Sequence, residues 1–237
     1  MPCEYTKTCK ETTMQNLTFS IESHQYYTPS QYRQFISNVG SVEWVKSKKC
    51  KYMECPNSFD IETTSFFRAP GSLKAAAMYI WMLGINGIVI VGRTWGEFEE
   101  IIARICIDLG VDIENRIVIY VHNLAFEFQF IRKRFEWVSV FAVDTRKPLY
   151  AVTTTGIEFR CSYLLSGYSL EKTASNLTKY KVSKMVGDLD YNKPRHSKTP
   201  LTADEMCYCV NDVLVVMSYI LECMESDGDI SKIPYTA

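Results

Sequence analysis

The chain has 237 residues, 47% hydrophobic and 22% charged, with a formal net charge of −1. This is one soluble globular domain's worth of chain with material for a substantial core, and its near-neutral balance excludes a protein that finds nucleic acid through a global positive field. Its nine cysteines are an odd number, with no secretory leader and no apolar span of membrane length. Reduced thiols in a cytoplasmic setting, and no membrane, are the expectation.

Residues 1–54 are polar and mixed, with a turn at Tyr26–Ser30, and carry no motif. A β-prone run at 57–66 follows, then a break at Ala69-Pro70-Gly71. Runs at 75–83 and 88–92 flank Gly84-Ile85-Asn86-Gly87, which predicts a hairpin with an Asn-Gly turn. Apolar spacing at Phe98, Ile101, Ile102 and Ile105 predicts a helix from Trp95 to Leu109. A core strand at 116–121 should lead through Asn123, a candidate N-cap, into a helix reaching about Phe135. Short strands are expected at 138–143, 148–154 and 157–161, with a turn at Thr155-Gly156. A helix near 169–176, a basic loop to about 200 and a long helix from Thr202 to Glu225 complete the chain, and Thr202 with Glu205 forms a capping box. Strands flanked by helices predict a mixed α/β sheet.

Three short runs carry chemistry. Asp60 and Glu62 stand two apart in a strand, so they project from one face. Paired carboxylates are costly unless a shared proton or a cation relieves them, and a divalent metal does this well. A solvated strand face can also carry Asp-x-Glu. In Tyr120-Val121-His122-Asn123-Leu124-Ala125-Phe126-Glu127, Glu127 sits four residues beyond Asn123 on the same helix face, although a plain strand-to-helix junction with an aromatic stripe reads the same way. Tyr208 and Asp212 share one face of the last helix, as a surface contact would also do.

In this order and spacing the three runs resemble the exonuclease motifs of 3′–5′ proofreading domains, and more narrowly those of the protein-primed family B DNA polymerases of phages and linear plasmids. Tyr120-x-His122-Asn123-Leu124-x-Phe126, Ser162-Tyr163-Leu164-Leu165 with Ser169-Leu170-Glu171-Lys172, and Gly187-Asp188-Leu189-Asp190-Tyr191 carry the narrower likeness. It runs from about residue 55 to the end. It implies an RNase H-like (DnaQ-like) fold, a mixed central sheet flanked by helices. It also implies an extension over 1–54, a nuclease domain over 55–230 and the start of a polymerase linker over 231–237. The polymerase motifs Ser-Leu-Tyr-Pro and Asp-Thr-Asp are absent. The expectation is a separated proofreading domain or a stand-alone nuclease, without nucleotide incorporation.

The resemblance implies two ions, Mg²⁺ or Mn²⁺. Asp60 would bridge them, Glu62 and Asp212 would serve the ion beside the attacking water, Glu127 would serve the second, and Tyr208 would orient the water. Thr63, Tyr120, His122, Asn123, Phe126, Phe130, Ser162, Tyr163 and Tyr191 fall at positions that contact a single-stranded DNA 3′ end. A polymerase portion and a terminal protein primer are the implied partners, and a monomer is expected. Two departures stand out. Glu127 occupies a position usually held by Asp, and Val186 occupies that of a catalytic lysine, leaving Lys184 as the nearest candidate. They motivate an alternative, a non-catalytic single-strand-binding module. A ribonuclease-H-type enzyme is disfavoured by the Tyr208–Asp212 pair.

Overall fold

The computed structural model describes residues 4–67, 69, 71–185 and 193–237, with side chains from residue 11 onward. In chain order its elements are α1 (Glu4–Ser23), β1 (Tyr26–Tyr27), α2 (Tyr32–Val39), β2 (Trp44–Lys46), β3 (Lys51–Met53), β4 (Asn57–Phe67), β5 (Lys74–Ile85), β6 (Ile88–Gly92), α3 (Trp95–Leu109), β7 (Asn115–Val121), α4 (Leu124–Ile131), β8 (Trp137–Asp144), β9 (Lys147–Thr153), β10 (Ile157–Cys161), α5 (Ser162–Ser166), α6 (Leu170–Asn176) and α7 (Ala203–Asp227). The strands form one ten-stranded sheet in the order β1-β6-β5-β4-β7-β10-β9-β8, with the β2–β3 hairpin attached through β3 to β7. Strands β4, β10 and β3 run parallel to β7, whereas β4–β5, β5–β6, β9–β10 and β8–β9 are antiparallel. This is the RNase H-like α/β architecture that the motifs implied.

The period-two alternation of the strands sorts two cores. Phe59, Ile61, Leu83, Ile119 and Phe159 meet Phe98 and Ile101 of α3 on one face. Ile80, Met82, Val89 and Val91 meet Leu17 of α1 and Val213, Leu214 and Met217 of α7 on the other. The β5–β6 turn follows its Asn-Gly signal, with φ of 50° at Asn86 and 82° at Gly87. A Cβ at Gly87 would lie 2.7 Å from the Leu17 backbone nitrogen, so glycine also lets α1 pack on this turn. Between β3 and β4 the ladder along β7 is interrupted, and Asn57 fills the gap: its amide donates to the carbonyls of Cys55 and Val118.

Residues up to 54 do not stand apart from this core. Strand β1 pairs with β6, β3 pairs with β7, and Leu17, Phe35 and Val39 are fully buried. Helix α7 corrects one sequence expectation, since it is long and apolar enough to cross a membrane by length and composition. Its apolarity belongs to the core, because 72% of that stretch lies inside the protein.

Candidate active site

Strand β4 turns Phe59 and Ile61 into the α3 core, so the intervening Asp60 and the following Glu62 face α7. Opposite them Asp212 rises from α7, a helix buried along most of its length. One carboxylate oxygen from each of Asp60, Glu62 and Asp212 lies within 4.8 Å of the others. The β4–β5 register slips between Glu62 and Thr63, a bulge of the kind that re-aims side chains beside a site. Beyond it Thr63 is half-buried at the rim. Tyr208 stands one turn before Asp212, and Lys184 links the two: its Nζ lies 3.3 Å from Asp212 Oδ2 and 5.6 Å from the centre of the Tyr208 ring.

Glu127 arrives from the far side of the strand. Helix α4 starts just after β7, and Glu127 lies in its first turn. Asn123 precedes the helix in a left-handed conformation with φ of 73°, which asparagine tolerates. It holds the N-cap position as expected, although its side chain makes no capping bond. The helix also ends at Ile131, short of Phe135, because the Phe135 ring packs against Phe98, Trp137 and Phe159. Glu127 is only 4% exposed and its carboxyl meets that of Asp60. Asp60 is therefore the hub, sensing Glu127, Glu62 and Asp212 at once.

The electrostatics follow from this crowding. Burial, then Glu127, Glu62 and Asp212, hold the Asp60 carboxyl well above the ordinary range. Burial and Asp212 push Glu62 up to about 7, against the pull of Lys184 and Arg195. Burial and Glu62 push Glu127 up to about 8. Burial raises Asp212 as well, opposed by Lys184. Glu127 Oε2 and Asp212 Oδ1 are buried without a hydrogen-bond partner among the described residues. Four carboxyls, two orphaned oxygens and a single close lysine fit divalent cations with an oxygen preference.

The other expected residues divide. His122 Nδ1 lies 3.2 Å from the Ser162 hydroxyl, and its ring meets that of Tyr163 edge-on at 5.7 Å. Burial, and Lys184 nearby, push His122 down to about 4. Ser162 itself is buried, with its hydroxyl against His122. Tyr163 is 44% exposed and Phe126 41% exposed, and Phe126 lies 5.3 Å from Phe130. Tyr120 is a correction. It is 1% exposed, packed with Val216 and Ile220, and its hydroxyl accepts from Arg160 at 3.5 Å, so its ring cannot stack on a base. The strand alternation puts it with Val118 in the core under α7. Tyr191 and Val186, with the whole Gly187–Tyr191 segment, lie outside the described residues.

Two residues were not singled out from the sequence. Trp95 stacks on Phe130 at 6.4 Å and carries the Arg134 guanidinium 4.4 Å from its own ring centre, extending the aromatic strip. Arg195 is buried with Nη2 2.5 Å from Glu205, stands over the Tyr79 ring at 5.7 Å and pulls on Glu62. The basic loop at 193–198 was its only signal.

No family model matches the sequence, and no curated protein matches it. Solved structures do. Phi29 DNA polymerase complexed with primer-template DNA and incoming nucleotides matches at TM-score 0.56 and 17% identity, over 73% of this chain and 31% of the polymerase. The same polymerase complexed with single-stranded DNA matches at TM-score 0.55 and 16% identity, over 73% and 32%. This chain shares its fold with a part of Phi29 DNA polymerase. The likeness implied by the three motifs thus holds at the level of fold, and the chain spans about a third of that polymerase's length. The catalytic core of RRP6 from Trypanosoma brucei is more distant, at TM-score 0.44 and 11% identity over 82% of this chain and 43% of that one.

Proposed function

We propose that this chain is a divalent-metal-dependent 3′–5′ exonuclease that acts on single-stranded DNA ends and proofreads for a protein-primed DNA polymerase. The observation that carries the reading is the convergence of Glu62, Asp212 and Glu127 on Asp60 from three separate elements. Asp60, Glu62, Asp212 and Glu127 would hold the Mg²⁺ or Mn²⁺ ions. Such ions supply the charge that activates water and offsets negative charge on the departing oxygen.

The chain's own groups do the rest. Tyr208 orients the attacking water through its hydroxyl, a role suited to a phenol that keeps its proton at neutral pH. Lys184 partly neutralises Asp212 and would offer its charge to a substrate phosphate. His122, fixed by Ser162 and held neutral, backs the exposed Tyr163 ring without adding charge. Tyr163 and Phe126 present faces on which bases stack without regard to sequence.

The test is digestion of an end-labelled single strand by the purified chain with Mn²⁺ or Mg²⁺. A ladder growing from the 3′ end, abolished in Asp60→Ala with binding retained, is expected. Binding without digestion by the native chain would establish the single-strand-binding module instead. A cytoplasmic setting and service to a polymerase portion and a terminal protein primer belong to this reading, and templated extension by this chain is not expected.

A further inference from the structure

A second built cavity, of about 600 Å³, lies away from the carboxylates. Strand β7 separates the two. Its carboxyl end leads into His122 and α4, whereas Arg116 at its amino end lines the cavity. Strand β10 runs parallel and brings Glu158, near its own amino end, to the same place. From Arg116 to Val121 the strand rises roughly 17 Å, and because α7 covers Val118 and Tyr120 between them, a strand that reaches both sites must pass around that helix.

The cavity's walls are aromatic and its rim is basic. Tyr235 packs on Tyr150 at 5.0 Å, and Tyr150 stacks on Phe141 at 5.8 Å. On its floor Glu158 is saturated. It accepts from Tyr52 at 3.0 Å and Tyr235 at 3.3 Å, and it pairs with Arg160 at 2.8 Å and Arg116 at 3.3 Å. Arg160 lies between the rings of Tyr52 and Tyr235, 5.1 and 4.6 Å from their centres. One carboxylate thus faces two arginines before the lysines are counted.

Those lysines come from the β2–β3 hairpin, whose tip carries Lys48 and Lys49 on the rim. Lys46 and Lys51 are directly opposed across the hairpin, a like-charge pairing that costs stability. None of the four lysines has an ion pair among the described residues. Unrelieved positive charge above tyrosine faces suits a ligand with phosphate on one side and a planar base on the other.

We infer that this cavity is a second contact for single-stranded nucleic acid, taking phosphates on Lys48, Lys49 and Arg116 and a base against Tyr150 and Tyr235. Its single-stranded ligand is shared with the proposed function, but its residues and its test are separate.

The experiment measures binding of short and long labelled oligonucleotides by the full chain in EDTA, so that no digestion intervenes. The Lys48→Ala/Lys49→Ala double variant alters exposed side chains only, and its melting temperature checks that the fold is kept. Native protein should bind the long strand more tightly than the short one. The double variant should lose about tenfold on the long strand, with a salt slope shallower by about 1.4 for two phosphates. Tyr150→Ala should lose about tenfold on the long strand without changing that slope. Native affinity and slope in both variants would overturn the inference. So would a deoxynucleoside monophosphate that binds the native chain and not the double variant while long-strand affinity is unchanged, since the cavity would then serve a free nucleotide. Because turnover is not needed, a chain that fails to digest DNA can still pass or fail this test.

Discussion

Asp60 on β4 and Glu127 at the start of α4 meet carboxyl to carboxyl, and the second oxygen of Glu127 has no hydrogen-bond partner among the described residues. Two acids held this way are unfavourable alone and suited to sharing cations. The longer side chain of Glu127 reaches the hub from its place on the helix.

Glu127→Ala should therefore lower kcat by at least about a hundredfold, as removal of an electrostatic clamp does. Glu127→Asp should retain more activity than the alanine variant and favour Mg²⁺ more than the native chain does, because Mg²⁺ demands near-ideal octahedral geometry. Single-turnover digestion in each metal separates the cases. A near-native alanine variant would take Glu127 out of the site.

The raised carboxyls set a pH dependence for the metal-free chain. Glu62 is pushed to about 7 and Glu127 to about 8, against 4.5 for an ordinary glutamate. The fold thus holds these protons more tightly than the unfolded chain does. Their stabilisation is complete below about 4.5 and is lost as pH rises through 7 to 8. In EDTA the melting temperature should fall between pH 5 and pH 8, and Asp60→Asn should flatten the fall. Mn²⁺ should raise it more at pH 8 than at pH 5, since ligands bind ionised. Equal gains at both pH values would count against four-carboxyl coordination.

Tyr208→Phe removes one hydroxyl and keeps the buried ring. Loss of the water's orientation should cost about a hundredfold in kcat with little change in KM. Lys184→Ala, by contrast, should raise KM as well, because its charge faces incoming phosphate. Identical profiles for the two variants would mean that neither role is separate.

Arg195 joins the loop before α7 to the site, through Glu205 and through its backbone N–H to Thr64 Oγ1 at 3.3 Å. Arg195→Ala should destabilise the chain by about 2 kcal/mol, read by denaturant unfolding, because a largely buried ion pair is broken. Arg195→Lys should restore part of the stability. An unchanged midpoint in the alanine variant would show the pair to be dispensable.

Much of this was legible in the sequence because the signals were local. The helix Trp95–Leu109 has regular apolar spacing, a capping box at Thr94 and Glu97, and a left-handed Gly110 at its end. The β5–β6 hairpin has its Asn-Gly turn, and Asp60 and Glu62 share a face by strand parity alone. Helix α1 was missed because most of its surface is polar and Leu17 makes its deepest contact. Tyr120 was misplaced because its motif neighbours suggested a surface residue while its strand parity put it in the core. Arg195 could not be ranked above its basic neighbours, because its burial depends on Glu205 and Tyr79 from other elements. Motif order located the acids, but tertiary packing decided which aromatic rings stay accessible.

The position of α7 late in the chain has a consequence for biosynthesis. Tyr208 and Asp212 leave the ribosome after every strand of the sheet, so a nascent chain carries Asp60, Glu62 and Glu127 without their fourth acid or their tyrosine. Until α7 docks, Ile80, Met82 and Val91 lack the helix that covers them in the finished fold. On the proposed reading the half-made protein would be silent as a nuclease while that apolar face stands open, a state in which chaperone capture is most useful. On that reading, completion of the acid cluster and burial of that face come together, in the docking of one helix.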